Sequence, residues 1–287
     1  MHNYPLRLVM GNEFTQYNLQ SFKFVFRRHC IVSFILETTE WVLFMDADIG
    51  VVNPTRLIEE YMDTKYDITF YDRFCNWEVA IGSYIVRSSP FSRKFLLNFA
   101  NFESQLPQSF HGTENGAFHA YILETIAPYE SRNDAEVCYS IWEQSQNYDD
   151  LYLYEACIRL VLGSKRIFDK VQILRKGTAW VRDIWITGSQ WSFDRDFMLH
   201  GMKESDRSMI PDGFFSKLRY IFKPRFTWYP PLTNDLDMTH CSTGDVKWQY
   251  DMRFQIPQSA IEKRLYVLSR QIERKRWRLL GQMKKFL

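Results

Sequence analysis

The chain of 287 residues lacks the features that define several large classes of protein. No apolar run approaches the roughly 18 to 20 residues of a membrane span, and the N-terminus has no apolar signal-peptide core. There are no internal repeats and no low-complexity segments. The triplet Asn53-Pro54-Thr55 is no acceptor for N-glycosylation, because its central proline disqualifies it. The sequence as written therefore predicts neither a membrane anchor nor a secretion signal.

Cysteine and charge exclude further classes. Five cysteines lie far apart without a CxxC pair, which argues against a zinc site or a dense disulfide framework and leaves room for one or two bridges. The residues from Gln258 onward carry a net charge of +7, so that the rest of the chain carries −5 of the overall +2. A mildly acidic body of this kind does not indicate a nucleic-acid-binding protein.

The most informative segment runs from Trp41 to Pro54, where the apolar run WVLFM ends in Asp46-Ala47-Asp48. A short, uncharged run rich in β-formers is typical of a buried strand in an α/β sheet. Residues i and i+2 of a strand point to one face, so both carboxylates can approach one ligand. Carboxylate oxygens suit Mg²⁺ or Mn²⁺, which complete their shells with substrate phosphates. This pattern predicts a metal site for a phosphate-bearing substrate, although two solvated turn acids would produce it too.

A late segment, FMLHGMK from Phe197 to Lys203, supplies a further ligand. Its strand-like run ends at His200, Gly201 permits a close backbone approach, and Lys203 offers a positive charge to a phosphate. Alone, the segment would favour a surface histidine after an edge strand. Because the chain also contains the DxD segment, we expect His200 to be a metal ligand.

Other polar groups have both a functional and a structural interpretation. Arg28 belongs to a basic cluster on the helix before the DxD strand, and could bind a diphosphate or simply face solvent. The loop 111–116 carries Glu114 and Asn115, which could hydrogen-bond a sugar hydroxyl or surround a helix N-cap at Thr113. A later stripe could pack on a sugar face, although such stripes usually belong to a core: Trp180, Arg182, Asp183, Trp185 and Trp191. The remaining histidines, which show no ligand spacing, are His2, His29, His119 and His240.

The periodicity of apolar residues predicts alternating strands and helices. The predicted strands cover residues 4–9, 41–45, 68–71, 77–86 and 171–174. The predicted helices cover residues 22–36, 91–102, 116–126, 133–148, 151–162 and 259–280. Residues 180–201 and 202–257 are predicted to be mostly irregular. This alternation is typical of an α/β layer fold with a mainly parallel sheet.

We expect one domain over residues 1–257, followed by a basic amphipathic helix over residues 258–287. Such a helix can bind anionic lipid or a partner at the membrane surface. Packing of a solvated helix on the acidic body is the interpretation that the sequence favours.

Six segments together resemble a known family: FMDADIGVVNP, DITFYDRFCNWEVAIGSYIVRSS, HGTENGAFH, YEAC, ILRKGTAWVRDIW and FMLHGMK. They are similar to the nematode-type nucleotide-diphospho-sugar transferases long filed as a domain of unknown function, over roughly residues 2–257. More remotely, the chain resembles fungal and plant galactosyl-, mannosyl- and xylosyltransferases. The resemblance implies a GT-A fold, with three αβα layers and a mainly parallel sheet. It also implies metal-dependent transfer of a sugar, in the Golgi, from a nucleotide diphosphate sugar to a hydroxyl of a glycan or glycoconjugate.

The resemblance also implies roles for individual residues, with Mn²⁺ or Mg²⁺ as the cofactor. Asp46 would contact the nucleotide ribose, or the metal through water, while Asp48 and His200 would bind the metal directly. Lys203 and Arg28 would hold the diphosphate. The donor sugar would lie beside Gly82 and Ser83, and the acid-amide pair near donor and acceptor would be Glu114 and Asn115.

The chain departs from GT-A proteins at its beginning. Those proteins start with a strand and a loop that cradle the nucleotide base, whereas residues 4–9 look like their second strand. We therefore expect a form that lacks the first βα unit. One alternative is a catalytically inactive member that binds a glycan or a partner. Another is a DxD phosphatase with Asp46 as nucleophile, although Gly50 stands where those enzymes have Thr or Val.

Overall fold

The computed structural model describes residues 2, 4–9, 24–127, 134–208, 226–236 and 247–286. The described residues form a mixed α/β structure. Its six α-helices are α1 Phe24–Ile35, α2 Pro90–Asn101, α3 Thr113–Ile126, α4 Glu136–Gln144, α5 Tyr148–Val161 and α6 Gln258–Leu280. Its eight strands are β1 Trp41–Met45, β2 Ile49–Val51, β3 Ile68–Asp72, β4 Val79–Arg87, β5 Ile167–Phe168, β6 Val171–Leu174, β7 Val181–Asp183 and β8 Met198–His200.

The chain folds into two compact units whose segments alternate along the sequence. The first unit comprises Met1–Pro5, Asp46–Tyr61 and Trp180–Gln271. The second unit comprises Leu6–Met45, Met62–Ala179 and Ile272–Leu287. The sequence predicts a different boundary, at residue 257, between one domain and a C-terminal helix. That boundary stays a prediction.

The second unit contains a five-stranded sheet in the order β1-β4-β3-β6-β5. Only the pair β3 and β6 in this sheet is parallel. The prediction of a mainly parallel sheet is therefore wrong for the part of the chain that the structure describes. The segment 73–78 between β3 and β4 is too short for a parallel crossover, which needs about a dozen residues or more, so these strands run antiparallel.

The predicted strand at residues 4–9 is also wrong, because the described residues there form no strand. Leu6 and Leu8 are 79% and 78% exposed. The apolar residues of this segment are typical of a strand, but a strand also needs a partner to bury its apolar face. The helix predicted over residues 133–148 is shorter than expected, as α4, and residue 133 lies outside the described residues.

The remaining elements of the second unit follow local sequence signals. Helix α2 begins at a capping box in which Ser89 and Ser92 exchange hydrogen bonds, with Pro90 at the first helical position. A disulfide between Cys138 and Cys157 joins α4 to α5. None of the described helices is both long enough and apolar enough to cross a membrane.

The first unit contains a three-stranded sheet in the order β2-β8-β7. Strand β8 is antiparallel to β2 and parallel to β7. Two of these strands, β7 and β8, lie within the segment 180–201, which was predicted to be irregular. The buried core beside them consists of Val52, Ile184, Trp191, Leu199, Trp228 and Phe254.

Candidate metal centre

The three-stranded sheet of the first unit brings distant parts of the sequence side by side. In the register of β2 against β8, Ile49 pairs with His200. In the register of β7 against β8, Asp183 pairs with the same His200. The DxD segment directly precedes β2, so the backbone pairing that aligns the strands also brings its acids to His200.

Backbone hydrogen bonds fix the second aspartate. The carbonyl of Asp48 accepts from the N–H groups of Gly201 and Met202, at 3.0 and 2.9 Å. The carbonyl of Asp46 accepts from Ile49 N at 3.1 Å, which closes the turn between the two aspartates and β2. The turn of the DxD segment and the segment His200–Lys203 are therefore joined through main-chain groups, independently of their side chains.

Asp46, Asp48 and His200 form a cluster that could hold a metal ion. One potential ligand atom from each side chain lies within 4.8 Å of the others, and all three residues are half-buried. His200 Nε2 lies 3.4 Å from Asp48 Oδ1. Two carboxylates and an imidazole are a donor set that divalent metals accept. Among the residues that the structure describes, no other such group of His, Cys, Asp and Glu is found.

The charges around Asp48 favour its ionised form. Burial would raise the pKa of this carboxyl, but the hydrogen bond and charge of His200, together with the charge of Lys203, hold the pKa below its ordinary value. Lys203 itself is exposed, three residues after His200. The cluster is therefore negatively charged and has a cation beside it.

A fourth side chain, Asp183, contacts the cluster through His200. Its carboxylate Oδ1 lies 2.8 Å from His200 Nδ1, and Asp183 is 2% exposed. The sequence assigned Asp183 only to an aromatic and polar stripe. Asp183 ends the three-residue strand β7 directly after Arg182, and so short a strand gives no pattern that would single it out.

Gly201 allows Trp185 to pack against the cluster. Its φ of +92° is unfavourable for other residues, and a Cβ there would lie 2.2 Å from Trp185 Cζ3. The Trp185 and His200 rings lie 5.8 Å apart, centroid to centroid. The glycine expected to allow a close approach does so, and the approaching group is an indole.

Comparison with known proteins identifies a family. Residues 1–217 match the family described as "Protein of unknown function, DUF273". The chain belongs to this family. No curated protein and no solved structure matches the chain. Because the description of the family names no activity, any functional assignment has to come from the chemistry of the site.

In this DUF273 member, the residues with predicted roles divide between the two units. Asp46, Asp48, His200 and Lys203 belong to the first unit. The predicted residues in the second unit are Arg28, Gly82, Ser83, Glu114 and Asn115.

In the second unit, Arg28 and Glu114 form an ion pair. Arg28 Nη2 lies 3.1 Å from Glu114 Oε1, and both side chains are largely buried. The guanidinium also lies 5.3 Å from the centroid of the Phe44 ring, within the range of a cation–π contact. The structure therefore brings together a residue expected to bind the diphosphate and one expected near the reacting sugar.

The loop before Glu114 has a strained backbone. Gly112 and Thr113 both have positive φ, at 69° and 51°. The expected N-cap at Thr113 is wrong, because α3 begins at this residue and Gly112 precedes it as N-cap without a side-chain bond. Thr113 Oγ1 instead donates to Glu114 Oε2 at 2.6 Å, so the threonine orients the carboxylate. A non-glycine residue in this region costs about 1–2 kcal/mol.

The other second-unit candidates lie on regular elements. Ser83 is on β4, opposite Met45 of β1, and its hydroxyl donates to the carbonyl of Phe44 at 2.8 Å. Gly82 precedes it on the same strand, and Asn115 lies in the first turn of α3. Their predicted contacts with a donor sugar and an acceptor stay predictions.

Proposed function

We propose that this protein is a metal-dependent glycosyltransferase that moves a sugar from a nucleotide diphosphate sugar to a hydroxyl of a glycan or glycoconjugate. The observation that carries the proposal is the convergence of Asp46, Asp48 and His200 within 4.8 Å. His200 lies 152 positions after Asp48 in the sequence. Their meeting agrees with the roles that the resemblance to nucleotide-diphospho-sugar transferases implies for them.

The donor set fits Mn²⁺ best. Carboxylates suit both Mg²⁺ and Mn²⁺, and an added imidazole favours the transition metal. Asp48 and His200 would bind the ion directly, with Asp46 binding it through water or contacting the ribose. A divalent ion here would neutralise the charge that develops on the departing nucleoside diphosphate.

Residues of each unit have a proposed role of their own. Lys203 offers a positive charge to the diphosphate, and the positive charge beside Asp48 keeps that carboxylate available as a ligand. In the second unit, Glu114 contacts Arg28 and Thr113, and it would hydrogen-bond a sugar hydroxyl. Gly82 and Ser83 would contact the donor sugar. The GT-A fold is part of the same proposal, except for the mainly parallel sheet, which the pairing of the described strands contradicts. The motifs support it.

The disulfide supports a location in the secretory pathway, as expected for a Golgi transferase. Disulfides persist in oxidising compartments and are rare in the cytosol. Cys138 and Cys157 form such a bond between two helices of the second unit. The Golgi therefore remains the compartment that we propose.

A binding experiment tests the proposal directly. Titration calorimetry would measure the affinity of the chain for UDP and GDP with and without Mn²⁺. We expect Mn²⁺ to strengthen nucleotide binding in the wild type and in the control Asp194→Ala, an exposed aspartate of the same unit. Asp48→Ala and His200→Ala should abolish that effect, along with Mn²⁺-stimulated hydrolysis of nucleotide sugars. If both variants keep the Mn²⁺ effect, this site assignment is wrong.

The same material separates the two alternatives. Glycan binding without nucleotide or metal binding would indicate an inactive, glycan-binding member. A covalent aspartyl-phosphate at Asp46 would indicate a phosphatase. The sequence gives a reason against the phosphatase, since Gly50 stands where those enzymes have Thr or Val.

A further inference from the structure

We propose that Asp183 is a positioning residue, which accepts the Nδ1–H of His200 and thereby points Nε2 at the cation held with Asp46 and Asp48. This inference rests on the proposed function, because it concerns the same metal ion. Asp183 lies outside the DxD segment and the segment His200–Lys203, and it would act through His200 without touching the ion.

The contacts of the two ring nitrogens define the orientation of His200. Nδ1 lies 2.8 Å from Asp183 Oδ1, whereas Nε2 lies 3.4 Å from Asp48 Oδ1. A neutral imidazole carries one N–H, and a carboxylate can only accept. When His200 is neutral, the Asp183 contact therefore keeps the proton on Nδ1 and leaves the lone pair on Nε2 for a cation held with the two aspartates.

Asp183 can fix the ring because it is itself fixed. It ends β7, next to β8, and the following N–H, of Ile184, donates to the carbonyl of His200 at 2.9 Å. The Asp183 side chain is 1% exposed, so it cannot rotate into solvent. Residues that orient a ligand are more effective on strands than on loops.

The residue before Asp183 anchors the strand. Arg182 forms a bidentate pair with Asp196, at 2.8 Å from Nε and 2.7 Å from Nη2. It also donates to Thr187 Oγ1 at 2.9 Å and to the carbonyl of Gln190 at 3.0 Å. These bonds tie β7 to the loop that leads into β8. Trp185 packs against the His200 ring and limits its rotation.

The affinity of the folded protein for a metal distinguishes a positioning role of Asp183 from a purely structural one. A buried aspartate that only stabilised the fold would alter unfolding without altering the affinity of the folded protein for a metal. Loss of a carboxylate that orients a histidine ligand typically weakens metal binding about 10- to 100-fold. Metal affinity in the folded chain is therefore the deciding quantity.

The test measures the Mn²⁺ dissociation constant of the full chain by electron paramagnetic resonance, with Mn²⁺ alone as the probe. We expect Asp183→Ala to weaken Mn²⁺ binding by about 10- to 100-fold. Asp183→Asn keeps an acceptor for Nδ1–H and should recover part of the loss. The control Asp194→Ala should bind like the wild type. Asp183→Leu fills the buried space without an acceptor, and decides the matter if Asp183→Ala does not fold.

A second readout needs no metal. The ¹⁵N spectrum of the His200 ring, recorded where the imidazole is neutral, should show the proton on Nδ1 in the wild type. In Asp183→Ala or Asp183→Leu, this tautomer should lose its predominance.

The outcomes separate the two proposals. If the wild type binds Mn²⁺ and the folded variants without an acceptor bind it equally well, the role of Asp183 is overturned and the metal site stands. A wild type that binds no Mn²⁺ overturns both.

Discussion

Gly201 shows how one absent side chain decides the packing beside the candidate metal centre. Its positive φ turns the chain after His200, and the space where a Cβ would lie is filled by the ring of Trp185. Gly201 therefore meets two separate requirements: a backbone with positive φ and room for the Trp185 ring.

We predict that Gly201→Ala destabilises the first unit by about 2–5 kcal/mol, since positive φ costs a non-glycine residue about 1–2 kcal/mol and overpacking about 1–3 kcal/mol. Gly163→Ala is the matched control. Its φ is +64°, but nothing lies within 4 Å of the added Cβ. It should cost only the backbone part. Urea unfolding measures both, and equal losses would show that the Trp185 contact does not matter.

At the scale of elements, helix α6 has one buried face and one exposed face. Ile261, Leu265, Ile272 and Leu279 are buried, whereas Trp277 is 65% exposed between Arg274 and Arg278, which are also exposed. The amphipathic helix that the sequence predicted is thus present, and its basic residues lie along a face that includes an aromatic side chain.

We predict that Leu279→Ala destabilises the second unit by about 2 kcal/mol or more, while Trp277→Ala changes its stability by less than about 0.5 kcal/mol. Both residues belong to the second unit's part of α6. Thermal unfolding compares them. A large effect of Trp277→Ala would mean that its ring packs within the protein.

The variant Trp277→Ala also tests whether helix α6 contacts a membrane, which is the alternative to a solvated helix. Sedimentation with vesicles of phosphatidylserine should leave the chain in the supernatant if the helix is simply solvated. Co-sedimentation that Trp277→Ala abolishes would instead support contact with an anionic membrane.

The elements also show what the sequence could predict. Strong local patterns were enough for β1, β4, α2 and α6, whose apolar periodicity extends over a strand or several helical turns. Strand β7 was missed because three residues give no readable period, whereas β8 was expected as the strand-like run that ends at His200. The pairing of both strands comes from contacts between distant segments. Strand direction failed for the same reason, since it depends on which strands pair.

The site was partly accessible to the same reasoning. Asp46, Asp48 and His200 were expected together from the kinds of ligand they offer. Asp183 was missed, because nothing in the sequence tells a buried carboxylate on a short strand from one in an aromatic core. The pairing of Arg28 with Glu114 depends on tertiary packing, and no local signal indicates it.

At the scale of the whole molecule, buried titratable groups make stability depend on pH. Burial lowers the pKa of His29 and His119 below the ordinary 6.5. His119 Nε2 accepts from Val79 N at 3.0 Å, so protonation there would remove an acceptor. The stabilisation of the fold by each neutral histidine is complete above about pH 6.5 and is lost as the pH falls below that value. Burial raises the pKa of Glu155 well above 4.5, so its contribution is lost as the pH rises from that value.

We predict opposite changes in pH dependence from two substitutions in the second unit. Between pH 7.5 and 5.5, His119→Gln should lose less stability than the wild type, by up to about 1.4 kcal/mol per pH unit below 6.5. Over the same pH range, Glu155→Gln should lose more stability than the wild type, because it removes the destabilisation that buried Glu155 causes at higher pH. Urea unfolding at several pH values measures both. The exposed His2→Gln is the control, and an unchanged slope in His119→Gln would contradict the prediction.

The alternation of the two units along the chain has a consequence for biosynthesis. A ribosome makes Asp46 and Asp48 early and His200 much later, after most of the second unit has emerged. A polypeptide that is still on the ribosome at that stage, or is released too early, thus contains Asp46 and Asp48 but lacks His200 and strand β8. Assembly of the cluster would be among the last events of maturation, and its presence would report that translation had passed residue 200.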